Sequence, residues 1–196
     1  MRWFVASLLV LISSTADALN LKYEGKTYIF ELPDHLCQAE EGPIYDFYMG
    51  THSSSKVNDP VAVAEPCNLP KAVHEFAGFA FNKKLRMTNQ LELNDWVIKF
   101  SLDDTWQDKE KRRVKQKFSR DVEGWALYSE SEKQSTLVAI SGHWTVFTTA
   151  ISVDRKAFYA NLYLSTVNFT DEEISRKADI FIDAITDIWV IEKLSD

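Results

Sequence analysis

Several stretches of the chain alternate apolar and polar residues at every second position, the period of half-buried antiparallel strands. "LKYEGKTYIF", Leu21 to Phe30, holds two short runs of this kind joined through Glu24-Gly25, and predicts an opening hairpin. Further extended runs are expected at Ile44–Met49, Val61–Glu65, Val73–Phe81, Trp96–Leu102, Val122–Ser129, Thr136–Ser141, Trp144–Val153, Ala157–Val167 and Ile188–Leu194. In "WVIKFSL" the alternation puts Trp96, Ile98, Phe100 and Leu102 on one face. "GTHSSSKVNDP", Gly50 to Pro60, lacks any period and reads as a mobile loop.

The period changes to 3.6 near the C-terminus. In "NFTDEEISRKADIFIDAIT", Thr170 stands three residues before Glu173, the spacing of a capping box, and Phe169 and Ile174 occupy the flanking staple positions. Asp171, Glu172 and Glu173 complement the positive end of the helix dipole. Ile174, Ala178, Phe181, Ile182 and Ile185 then form one apolar stripe, so a helix over about 170–186 packs on a sheet. "DIWVIEKL" returns as a final strand. A second helix is expected near 104–118, with Asp104 as N-cap, Gln107 three residues on, and Trp106, Val114 and Phe118 near one face. A strand over the same residues would turn Val114 and Phe118 inward. The fold class that follows is α+β, mainly antiparallel sheet packed by helices.

The N-terminus carries a different signal. One arginine, the apolar run Trp3 to Ile12 and the small residues Ala16-Asp17-Ala18 have the three-part layout of a secretory signal peptide. The apolar run is too short to span a bilayer, which takes about 20 apolar residues. Residues 1–18 are therefore expected to be removed, leaving a single domain over 19–196 in the periplasm or outside the cell. In that oxidising setting the two cysteines, Cys37 and Cys67, pair most simply as a disulfide. No second close Cys or His pair accompanies His35 and Cys37, so a tetrahedral metal site is not expected.

Charge divides the chain unevenly. "KEKRRVKQKFSR", Lys109 to Arg120, holds seven basic residues and one acidic residue, against a net charge of −7 for the whole chain. The run carries +6, so the remainder carries −13. It reads either as a solvated face balanced by nearby acids, or as a docking face for an anionic protein or lipid surface through Lys111, Arg112, Arg113, Lys115 and Lys117. Export and overall acidity argue against nucleic acid.

Catalytic patterns are sparse. The six glycines form no phosphate-cradling loop, and neither a G-x-S-x-G elbow nor H-E-x-x-H occurs. Ser141 and His143 are two residues apart in "ISGHW", but strand neighbours seldom have attack geometry. Asn168-Phe169-Thr170 is a glycosylation sequon that the capping role explains without glycosylation. No catalytic residue, cofactor or metal is assigned.

The early "KTYIFELP", with its strand ending at Pro33, the run of strands and the late helix-then-strand together resemble the PsbP-like α+β sandwich family. Membership would imply an accessory or binding protein without its own catalysis. A lipocalin-like barrel with a C-terminal helix is the alternative, although Gly25 is followed by Lys26 and Thr27 and lacks the tryptophan expected there. The functional expectation is an exported, non-catalytic binding or accessory protein of the cell envelope acting through a surface, inhibitor-like and immunity-like roles included. A carrier of an apolar small molecule or lipid is second, and a hydrolase third.

Overall fold

In a computed structural model the protein is described over residues 18–53, 55–68, 74–101 and 125–192. The opening hairpin forms as expected, with β1 (Ala18–Tyr23) pairing β2 (Lys26–Glu31) from Ala18–Glu31 to Tyr23–Lys26. Its two turn residues, Glu24 and Gly25, both have positive φ, the backbone twist that two-residue hairpins favour. β10 (Trp189–Glu192) adds to the other side of β2 and completes a three-stranded antiparallel sheet.

A second, seven-stranded sheet is antiparallel at every pairing. It comprises β3 (Leu36–Ala39), β4 (Asn58–Pro66), β5 (Glu75–Arg86), β6 (Ala126–Glu130), β7 (Ser135–Ser141), β8 (Trp144–Val153) and β9 (Lys156–Ser165), in the order β3-β4-β5-β9-β8-β7-β6. β3 and β6 lie at opposite edges, and no closed barrel forms among the described residues, so the lipocalin-like alternative is not adopted. β4 is bulged between Pro60 and Ala62, where proline has no N–H for the ladder.

Three helices complete the described architecture: α1 (Pro43–Ser53), α2 (Gln90–Ser101) and α3 (Asp171–Ile185). α3 carries the expected capping box, the Thr170 hydroxyl accepting from the Glu173 N–H while the Glu173 carboxylate accepts from the Thr170 N–H. Its buried residues include the predicted Ile174, Ala178, Phe181, Ile182 and Ile185. Ile174, Ala178, Phe181 and Ile185 join Leu19, Phe30, Phe79, Phe147, Phe158 and Leu162 in the main core, between one face of the large sheet and the layer made by the small sheet and α3. Burying a side chain of this size contributes roughly 1.5–3 kcal/mol relative to leaving it exposed.

Two predicted strands are helices. Ile44–Met49 lies in α1, where Ile44, Tyr45, Tyr48 and Met49 form one packed stripe at helical spacing. Trp96–Ser101 ends α2, whose buried residues Leu93 and Val97 are four apart. Ile98, expected to share a buried face with Trp96, is exposed. The Asn89 side chain caps α2 by accepting from the Glu92 N–H, a start signal seven residues upstream of Trp96. Nor is Gly50–Pro60 a continuous loop, because Gly50–Ser53 closes α1 and Asn58–Pro60 opens β4. The predicted helix over 104–118 and the signal peptide, apart from Ala18, lie outside the described residues. Among those residues, no helix is long and apolar enough to cross a membrane.

Candidate functional site

Strand alternation gives the large sheet a second face that α1 and α2 cover only in part. Along β9, Phe158, Ala160, Leu162 and Leu164 enter the main core, leaving Tyr159, Asn161 and Tyr163 on the opposite side. α1 covers one end of that side through Tyr48, whose ring lies against Gly78 of β5 so closely that no β-carbon would fit between them. α2 covers the other end, its Leu93 and Val97 packing with Leu137, Ala150 and Ala157.

Between the two helices the strands floor a groove of about 830 Å³. That is the size of small-molecule sites, about 300–1,000 Å³. β7, β8 and β9 supply most of the floor, including Ala139, Val146 and Tyr159, and Asn58 and Asn82 supply the side toward β4 and β5. The walls are His52 and Val57 on one side and Trp96 and Val97 on the other. Trp125, 39% exposed, stands at the approach to β6.

The polar groups in this lining are neutral and mostly held in place. The Thr148 hydroxyl donates to Asn161 Oδ1 at 2.7 Å, and Asn161 Nδ2 donates to the Tyr48 hydroxyl at 3.1 Å. Asn82 Oδ1 accepts from the N–H groups of Lys84 and Leu85, and its side chain also hydrogen-bonds Tyr159. Burial holds the His52 imidazole below its usual pKa and raises the Tyr163 phenol to about 12, so neither is charged at neutral pH. Among the described lining residues there is no Asp, Glu, Lys or Arg.

Two ionic clusters lie elsewhere and act as clamps. Glu75, almost fully buried at the start of β5, accepts from His35 Nε2 at 2.8 Å and from Lys177 Nζ of α3 at 2.6 Å. Burial alone would push this carboxyl up, but the hydrogen bonds and charges of His35 and Lys177 outweigh it, and its pKa lies below the usual range. Lys156 joins the two hairpin turns, with its ammonium 3.2 Å from Glu24, 3.3 Å from Asp154 and 3.2 Å from the Tyr28 hydroxyl. Each cluster sets opposite charges against one another, and each ties strands of different sheets or a strand to a helix.

Of the predicted site residues, Cys37 and Cys67 are bridged, tying β3 to the turn after β4. The basic residues Lys111, Arg112, Arg113, Lys115 and Lys117 lie outside the described residues. His143 is exposed in the β7–β8 turn. Among the described residues no group of three or more His, Cys, Asp or Glu could hold a metal ion. The sequence reading did not single out the groove. Its one local trace is β9, where Tyr159, Asn161 and Tyr163 alternate with purely apolar residues. No known family model matches the chain, and no curated protein is detectably similar to it in sequence.

Proposed function

We propose that this is an exported, non-catalytic binding protein that takes a small, mainly apolar molecule in the groove between α1 and α2. The observation that carries the reading is the groove itself, about 830 Å³ and walled by apolar and aromatic side chains over a hydrogen-bonded floor. A floor whose Asn161 and Thr148 already satisfy one another needs little rearrangement to receive a ligand, which favours binding by lowering its ordering cost. The disulfide and the N-terminal signal-like segment support export.

Binding is tested with N-phenyl-1-naphthylamine, an uncharged apolar fluorophore that accepts energy from tryptophan. Saturable quenching of tryptophan emission is expected, with micromolar half-saturation or tighter. Ala139→Trp places a large ring on the groove floor and should abolish that quenching while leaving the thermal melt cooperative. Quenching that is absent in the wild type, or unchanged in Ala139→Trp, would defeat the proposal.

A further inference from the structure

Building on that reading of the groove, we infer that its ligand is uncharged and carries a hydroxyl or similar neutral polar group, as a long-chain alcohol does and a fatty-acid anion does not. The first reason is charge. Sixteen described residues line the groove and none of them is Asp, Glu, Lys or Arg, while the single imidazole, His52, sits partly buried against the ring of Tyr48. A carboxylate entering such a lining exchanges its hydration for neutral dipoles with no counter-charge among the described residues, a far larger cost than moving a hydroxyl.

The second reason is unmet hydrogen bonding. The other polar groups of the floor are largely paired with one another, but the Tyr163 hydroxyl makes no hydrogen bond among the described residues, although its ring is stacked on Phe76 at 4.2 Å. Asn58, in the same lining, has a buried side-chain oxygen without a partner. The two lie about six residues apart along the sheet, so one neutral polar group such as a hydroxyl pairs with one of them, the phenol. An alkane leaves the phenol unmet, and an anion reaches it only at the cost of desolvating its charge.

Matched competitors test this. With N-phenyl-1-naphthylamine bound to the purified protein at pH 8, 1-decanol and decanoate are titrated in and the loss of tryptophan-to-probe transfer is followed. The alcohol should displace the probe at a concentration about tenfold or more below that of the anion, given the cost of desolvating an unpaired carboxylate. Tyr163→Phe should weaken decanol displacement several-fold relative to its effect on probe affinity, which is measured in the same variant. Equal or better displacement by decanoate would overturn the inference while leaving the groove as a binding site. An unchanged decanol midpoint in Tyr163→Phe would remove the phenol from it. Failure of the probe to bind at all, or binding that Ala139→Trp does not affect, would instead bring down the reading of the groove on which it rests.

Discussion

Glu75 shows how much a single buried charge can hold together. It is 3% exposed, and its two partners come from the loop before β3 and from α3, so the one carboxylate fastens the disulfide-bearing corner to the C-terminal helix. Removing one member of a buried pair typically costs about 3–5 kcal/mol, because the other is left uncompensated. Glu75→Gln should therefore lower stability by an amount of that order in denaturant unfolding. The pH dependence has a definite sign. A carboxyl whose folded pKa is depressed stabilises fully above its ordinary value, 4.5, and that stability is lost as pH falls through the lower folded value. Wild type should thus lose stability more steeply than Glu75→Gln below about pH 4.5, seen as converging melting temperatures. Gly78 makes the opposite kind of demand, for absence of a side chain. Gly78→Ala would drive a methyl into the Tyr48 ring, and overpacking of this sort costs roughly 1–3 kcal/mol. It should also break the Tyr48–Asn161 hydrogen bond and roughen the groove floor, so probe affinity should fall along with the melting temperature.

At the scale of elements, the disulfide joins β3 to the turn after β4 across 30 residues of chain that include all of α1. The chain-entropy contribution of such a loop is on the order of 3–4 kcal/mol. Cys37→Ser and Cys67→Ser should destabilise alike, and the double variant should match either single one in equilibrium unfolding. A single variant no less stable than wild type would show that the bridge contributes nothing. α1 is both enclosed by this loop and one wall of the groove, so the bridge also constrains the site. The cysteine variants should accordingly bind the apolar probe more weakly even at temperatures where they remain folded. α3 is more self-sufficient, since its capping box and apolar stripe agree with one another locally.

The whole molecule adds two predictions. Ala18 is exposed at the start of β1, and Leu19 is the first buried residue among those described. Cleavage after Ala18 would leave the main core with every β1 contact it has. Mass spectrometry of the exported protein should find Leu19 first, and an intact Met1 there would rule the cleavage out. The basic run carries +6 in a chain of net −7, so charge is divided unevenly along the sequence. If it docks on an anionic surface, binding to anionic vesicles should weaken as salt rises, because the Debye length shrinks from about 10 Å at 0.1 M to about 3 Å at 1 M. Charge reversal at Arg112, Arg113 and Lys115 should slow association more than it speeds dissociation. Vesicle binding that is indifferent to both changes would make the run a solvated face.

What the sequence determined by itself was whatever depends on neighbours along the chain. The Glu24-Gly25 hairpin, the capped α3 and most strands of the large sheet follow from short-range period, turn chemistry and capping, and all of them stand in the structure. The pairing of Cys37 with Cys67 needed only a count and a compartment. Tertiary structure decided the rest. Over six or seven residues an alternating pattern fits a strand and a helix about equally well, and Ile44–Met49 and Trp96–Ser101 became helices because each could bury a stripe at helical spacing on the large sheet. The groove was still less legible. Its residues come from α1, α2 and several strands spread between His52 and Tyr163, and what makes them a site is that two helices stop short of each other across a common floor. That gap is a property of strand order and helix placement, which no local pattern encodes.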